Sequence, residues 1–146
     1  MLTKSSLARL IAQHAGRELY DDSGVEPSGI AIYSLVDPRE LRLTRYIGQT
    51  SAPRRRFLQH LRTARLWMPE HTPWWIRQPA LRPLYEWLRD LHFRENHLPT
   101  MIIHSWITSA RQARLAERAR IYEALANRLP LFNVEGEFLG RQLPLL

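Results

Sequence analysis

The chain has 146 residues, a length that fits one domain with its own core and leaves little room for a second. Its apolar fraction of 45% is that of a globular protein and argues against a disordered chain. Because there is no cysteine, neither disulfides nor thiolate metal ligands can stabilise the fold. No apolar run is long enough to span a bilayer and the N-terminus does not look like a secretory signal, so we expect a soluble, cytoplasmic protein without a membrane partner.

The formal net charge of +7 comes largely from arginine, and this charge is local. Residues 39–65 contain eight arginines and one acidic residue, whereas residues 1–28 are slightly acidic. A GC-rich genome enriches arginine in any protein, but a local concentration favours a surface that binds phosphates, since the guanidinium fork fits phosphate oxygens. The predicted phosphate contacts are Arg39, Arg42, Arg45, Arg54 and Arg55.

The first element in chain order is a short helix over residues 3–19, whose apolar residues share one stripe. A segment rich in turn-forming residues follows at 21–24. We therefore predict an N-terminal helical arm over residues 1–28 and a main domain over residues 29–146.

The main domain opens with two segments rich in β-branched and aromatic residues, 29–36 and 41–49. The Asp-Pro-Arg-Glu sequence between them predicts a turn, and hence a β-hairpin. A helix is predicted over about 52–66, with Pro53 tolerated in its first turn. Residues 67–79 contain three prolines and no periodicity, which predicts a loop.

The second half of the domain is predicted to contain a helix, a strand and a further helix, in this order. Apolar periodicity predicts helices over about 80–93 and 110–129, with a third strand over 100–106 between them. The chain then runs through 131–134, a predicted short final strand. The fold class is therefore α+β, with a small, three-stranded, mainly antiparallel sheet flanked by helices.

Two tripeptides stand in the hairpin strands, Ala31-Ile32-Tyr33 in the first and Tyr46-Ile47-Gly48 in the second. An arginine follows the second tyrosine by ten residues, and a histidine comes four residues later on the same predicted helix. The late helix carries a glutamate four residues before an isoleucine, and a proline and an asparagine follow it. These later residues are Arg56, His60, Glu117, Ile121, Pro130 and Asn133.

This order and spacing resemble the GIY-YIG nuclease family over roughly residues 29–133. Three departures accompany the resemblance. Ala31 replaces the first glycine, and residues 67–79 look like an insertion. The stretch from Glu117 to Pro130 is about one helical turn longer than in the excision-repair members, which leaves Glu123 as a rival metal ligand.

The resemblance implies a metal-dependent endonuclease that hydrolyses DNA phosphodiester bonds by attack of water. Glu117 would hold one Mg²⁺ or Mn²⁺, and Arg56 would stabilise the charge on the non-bridging phosphate oxygens. Tyr33 and Tyr46 would position or activate the water, with His60 as a proton relay because its ordinary pKa lies near 6.5. Which of these three is the general base stays open. The residues expected to support the site structurally are Gly48 and Asn133.

Taken singly, each of these residues has an ordinary explanation as a packing aromatic, a solvated charge or a turn residue. Only their joint order favours a nuclease. The alternatives are a non-catalytic module that binds DNA or RNA on a nuclease fold, and a protein-interaction domain whose basic face docks an acidic partner. We expect nucleic acid, most simply DNA, as the partner. Any sequence specificity would come from the 67–79 loop, the N-terminal arm, a homodimer or an additional subunit.

Overall fold

The sheet of this protein has four strands and mixed direction. The computed structural model describes residues 18–70 and 72–134. The strands are β1 (Leu19–Asp21), β2 (Ile30–Asp37), β3 (Glu40–Thr50) and β4 (Thr100–Ile107). They lie in the order β1-β4-β2-β3. The hairpin β2–β3 and the pair β2–β4 are antiparallel, whereas β1 runs parallel to β4.

The α+β class is confirmed, but the prediction of three strands is wrong. The additional strand β1 covers three residues that the sequence assigned to the N-terminal arm. Such a short segment carries no periodicity of its own and is held by its pairing with β4, a contact distant in sequence. Most of the predicted arm helix, residues 3–17, lies outside the described residues.

Three α-helices and two short 3-10 helices complete the described fold. The predicted strand at 131–134 is wrong, because the chain there forms a 3-10 turn against β3. Across the described ranges, no helix is both long and apolar enough to cross a membrane. The helices are α1 (Pro53–Thr63), α2 (Arg82–Glu95) and α3 (Ala110–Ala126), and the 3-10 helices are Trp74–Arg77 and Phe132–Val134.

The two faces of the sheet are covered by different helices. On the face that carries Tyr33 and Tyr46, here called the tyrosine face, α1 and α2 pack to form the larger core. Side chains alternate along a strand, so Ile47 points to the opposite face, where it packs against Ile121 and Ala124 of α3. Strand β2 lies between both layers, which explains why seven of its eight residues are buried.

A register shift in the β2–β3 pair determines where Arg45 points. Leu35 pairs with Tyr46 and the next residue of β2 pairs with Thr44, so Arg45 is the extra residue of a β-bulge. Its guanidinium carbon lies 4.3 Å from the ring centre of Phe132 and 5.6 Å from that of Trp87, at the tyrosine face. The predicted phosphate contact Arg45 is therefore engaged in cation–π packing within the fold.

The segment between α1 and α2 is ordered by one arginine of α2. Arg89 donates hydrogen bonds to four backbone carbonyl oxygens, two at 2.8 Å from Nη1 and two at 3.1 and 2.8 Å from Nη2. Trp75, which is fully buried, donates its indole N–H to the carbonyl of Thr63. These contacts give the Pro-rich segment a defined path over the core. The four carbonyls belong to Ala64, Arg65, Met68 and Pro69.

Replacing Arg89 by alanine should therefore destabilise the protein by about 2–3 kcal/mol, because several partly buried carbonyls lose a charged donor. Arg89→Lys should recover only part of this loss, since one ammonium group cannot reach all four oxygens. Urea unfolding measures both effects. Arg94→Ala, which removes only an exposed ion pair with Asp90 on the same helix, is the control and should cost less than about 1 kcal/mol. Equal losses for Arg89→Ala and Arg94→Ala would contradict this role.

Candidate functional site

The centre of the site is a hydrogen bond between the first tyrosine of the motif and the histidine of α1. The Tyr33 hydroxyl lies 2.8 Å from Nε2 of His60, and both residues are 0% exposed. The other ring nitrogen of His60, Nδ1, lies 3.2 Å from the hydroxyl of Tyr85 on α2. A fully buried imidazole therefore has a phenol at each nitrogen, which satisfies its hydrogen-bonding capacity without water.

His60 shares the core-facing side of α1 with Phe57 and Leu61, all three being buried. Because Arg56 and His60 are four residues apart, the sequence predicts that they share a face of this helix different from that of its apolar residues. This prediction is wrong for His60, because α1 buries a wide stripe against the sheet. Arg56 stands one turn earlier and is half-buried.

Gly48 makes room for this arrangement. It pairs directly with Tyr33 across the β2–β3 ladder. A β-carbon at Gly48 would lie 2.6 Å from the Tyr33 hydroxyl oxygen and 2.7 Å from the ring carbon that carries it. Any other residue would push the phenol away from His60, which gives a steric reason for glycine at this position.

Tyr46 and Arg56 connect the buried pair to a small cavity. The Tyr46 ring lies edge-on to His60 at 5.5 Å between centres and 6.3 Å from the ring of Tyr33. The guanidinium of Arg56, which donates to Gln59 Oε1 at 3.4 Å, lies close enough to the Tyr33 hydroxyl to act on it electrostatically. The cavity measures about 60 Å³, room for a few water molecules or one phosphoryl group. Its lining is Tyr46, Arg56, Ala80, Leu81, Leu84, Tyr85, Phe132 and Asn133.

Burial opposes any charge on the two central groups. It lowers the pKa of His60 to about 3, and the nearby charge of Arg56 lowers it further in the same direction. Burial raises the pKa of the Tyr33 hydroxyl far above its usual range, followed in size by the effect of Tyr46, and Arg56 only partly offsets this. Both groups are therefore neutral at pH 7. The ordinary pKa on which the relay hypothesis for His60 depended does not hold in the folded protein.

The depressed pKa of His60 also links stability to pH. Its ordinary value is 6.5, so an unfolded chain binds a proton at this residue before the folded chain does. The stabilisation from the neutral ring is fully present above pH 6.5 and is lost as the pH falls toward 3.

Asn133 holds the edge of the sheet beside the cavity. Its Oδ1 accepts from the backbone N–H of Ile47 at 2.8 Å, and its Nδ2 donates to the carbonyl of the same residue at 2.7 Å. This double contact satisfies the outward-facing backbone groups of the edge strand β3 next to Tyr46. Asn133 thus connects the 3-10 turn at 132–134 to strand β3.

Glu117 has a different location from the other predicted catalytic residues. It is half-buried on α3, at helical spacing between the buried residues Ala113 and Ile121. Because Ile121 packs on the opposite face of the sheet, α3 does not share the layer of α1 and α2. The structure thus gathers the two tyrosines, Arg56 and His60 around one point, and Glu117 stands on the helix across the sheet. Within the described ranges, no group of three or more His, Asp or Glu residues stands together.

The predicted phosphate contacts other than Arg45 fall into two groups. Arg39 is paired with Asp37 and Glu95, and Arg42 is paired with Glu40 in an exposed two-pronged contact. Such surface pairs are weak and can exchange for phosphate. The second group, Arg54 and Arg55, is exposed in the first turn of α1.

Tyr85 is the residue of this site that sequence reasoning missed. It lies beside Leu81, Leu84 and Leu88 at the apolar stripe of α2, so the sequence pattern did not distinguish it from the packing residues of that stripe. A phenol in such a stripe needs a buried partner for its hydroxyl, and this requirement is the signal that could have drawn attention to it.

The chain was compared with models of protein families, with curated proteins and with solved structures, and none of the three comparisons found a match. The resemblance to the GIY-YIG nucleases accordingly stays a prediction from the sequence motifs. What the site can do must be argued from its own chemistry.

Asn133→Asp tests the support of the sheet edge with an almost isosteric change. At pH 7 the new carboxylate would face the Ile47 carbonyl in place of a donor, so we expect a loss of about 2–4 kcal/mol in the free energy of unfolding. The protonated acid can donate to this carbonyl, which raises the pKa of the new carboxyl group in the folded state. Relative to the parent at each pH, the loss should therefore shrink as the pH falls toward the unfolded value of about 3.9.

Denaturant unfolding of Asn133→Asp and the parent between pH 4 and pH 8 measures this effect. Asn127→Asp, an exposed change at the end of α3, is the matched control and should cost less than about 1 kcal/mol. A loss for Asn133→Asp that is as small as that of the control, or that does not change with pH, would contradict the proposed contact.

Proposed function

We propose that this protein is a nucleic-acid phosphodiesterase, most specifically a DNA endonuclease that cleaves by attack of water. The observation that carries the proposal is the cavity in which Tyr46 and Arg56 meet, with Tyr33 and His60 packed directly behind them. A cavity of this size accommodates one phosphate group of a backbone. Among its polar lining residues, Arg56, Tyr46 and Tyr85 carry groups that can donate to an anion.

Arg56 provides the charge that such a reaction requires. Its half-buried guanidinium donates to Gln59 Oε1 at 3.4 Å on the same helix and lines the cavity, so the positive charge is already in place before substrate binds. Phosphodiester hydrolysis builds negative charge on the non-bridging oxygens, and a preorganised guanidinium in a poorly hydrated site stabilises that charge. Arg56 is thus proposed to bind the phosphate and to stabilise the transition state.

Tyr46 is the motif tyrosine that lines the cavity, whereas Tyr33 is fully buried. We therefore assign contact with the attacking water to Tyr46, and to Tyr33 the orientation of Arg56 and His60. The resemblance implies Glu117 as the carboxylate for Mg²⁺ or Mn²⁺, ions that accept one carboxylate together with waters and a substrate phosphate. Because Glu117 stands on α3 across the sheet and is not part of the cavity lining, the residues around the cavity do not themselves provide this ligand. When bound, the metal would supply Lewis-acid stabilisation and a more acidic water.

The second candidate function is a module that binds DNA or RNA without cutting it. The low pKa of His60 favours this reading, because at pH 7 neither His60 nor Tyr33 accepts a proton from water. The exposed Arg54 and Arg55 would serve either function as phosphate contacts. A homodimer or an additional subunit would supply specificity in both cases.

Cleavage of a substrate panel tests the proposal. Supercoiled, linear, single-stranded and branched DNA and RNA are each incubated with the protein, with and without Mg²⁺. We expect Mg²⁺-dependent cutting of DNA that falls at least about 100-fold in Arg56→Ala, because this change removes the charge that stabilises the transition state. If Glu117 holds the metal, Glu117→Gln should abolish the stimulation of cutting by Mg²⁺. Tyr46→Phe should also cut more slowly than the parent.

Arg62→Ala is the matched control, since Arg62 is an exposed arginine of the same helix as Arg56 and does not line the cavity. It should cut as the parent does. Salt-sensitive binding without cutting on any substrate would support the binding module instead. Normal cutting by Glu117→Gln would show that Glu117 is not the metal ligand.

A further inference from the structure

Behind the cavity, Tyr33, His60 and Tyr85 form a continuous chain of hydrogen bonds, and the charge of Arg56 acts on the Tyr33 end of this chain. Every hydrogen bond in such a chain needs one donor and one acceptor, so fixing the direction at one end fixes all of them. Arg56 can only donate. Its guanidinium therefore faces the lone pairs of the Tyr33 oxygen and turns the phenol hydrogen away from itself.

The donor and acceptor order of these hydrogen bonds then continues through the imidazole of His60. The Tyr33 hydrogen points to Nε2 of His60, the nitrogen 2.8 Å away, so Nε2 is an acceptor. A neutral imidazole carries one hydrogen, which must then lie on Nδ1. Nδ1–H donates to the hydroxyl oxygen of Tyr85 at 3.2 Å. The Tyr85 oxygen is thus an acceptor toward His60, and its own hydrogen is directed away from the ring.

Tyr85 lines the same cavity as Tyr46 and Arg56. We propose that the Tyr85 hydroxyl donates a hydrogen bond to a non-bridging oxygen of the phosphate in this cavity, with His60 as the positioning residue that sets the direction. The inference rests on the proposed function for the identity of the ligand. It changes the assignment of His60 from a proton relay to a fixed link between Arg56 and a second phosphate donor.

The direction of these hydrogen bonds is tested first, by a measurement that needs no nuclease activity. Nitrogen-15 NMR of the imidazole distinguishes a hydrogen on Nδ1 from one on Nε2, and His60→Gln identifies the His60 signals. We expect the Nδ1–H form at pH 7 in the parent protein. The Nε2–H form would overturn the inference whether or not the protein cuts nucleic acid.

The contact with phosphate is tested by a double-mutant cycle between protein and substrate. Tyr85→Phe removes only the hydroxyl. A phosphorothioate at the cleaved position replaces one non-bridging oxygen by sulfur, which is a weaker hydrogen-bond acceptor. We expect Tyr85→Phe to lower kcat/KM about tenfold. The effect of sulfur in one of the two diastereomers should be smaller in this variant than in the parent, since the interaction is already lost.

Tyr20→Phe, which removes an exposed phenol on β1, is the control and should leave kcat/KM unchanged. Additive effects of Tyr85→Phe and sulfur in both diastereomers would overturn the contact, even if Arg56→Ala confirms the nuclease. If the parent cuts nothing, the proposed function fails, and the affinity of the parent and Tyr85→Phe for a short DNA duplex replaces kcat/KM. Equal affinities would then overturn the inference.

Discussion

A histidine that is completely removed from water must find both of its hydrogen-bond partners inside the protein, and this constraint organises the site. His60 meets it with two phenols, Tyr33 at Nε2 and Tyr85 at Nδ1. Each partner comes from a different element, since Tyr33 belongs to β2, His60 to α1 and Tyr85 to α2. The same contacts that satisfy the imidazole therefore hold two helices and the sheet in one arrangement, and the burial of the ring between them keeps it neutral at physiological pH.

The geometry around this centre depends on two features of strand β3. Gly48 leaves the space that the Tyr33 hydroxyl occupies, and the bulge at Arg45 places its guanidinium beside Phe132. Asn133 follows directly and pairs with the backbone of the same strand. The edge of the sheet is thus closed next to the cavity, and the phosphate-sized opening lies between this edge and the start of α2.

Much of the fold follows from local pattern. Alternation and turn residues predicted the hairpin, and the leucine stripe predicted α2, because both signals lie within a few neighbouring residues. Contacts distant in sequence were not predictable in this way. The pairing of β1 with β4, the 3-10 turn at Phe132–Val134 and the clamp by Arg89 each depend on a partner far along the chain. The same limit applies to the site. The motif spacing indicated Tyr33 and His60, but their burial, their pKa values and the partner Tyr85 depend on contacts distant in sequence.

The most direct test of the account is a crystal structure of the protein with a short DNA duplex that cannot be cleaved. The account predicts one backbone phosphate in the cavity, with its non-bridging oxygens within hydrogen-bond distance of Arg56. A duplex bound elsewhere on the surface, with the cavity filled only by water, would contradict the assignment of this pocket as the place where the protein engages nucleic acid.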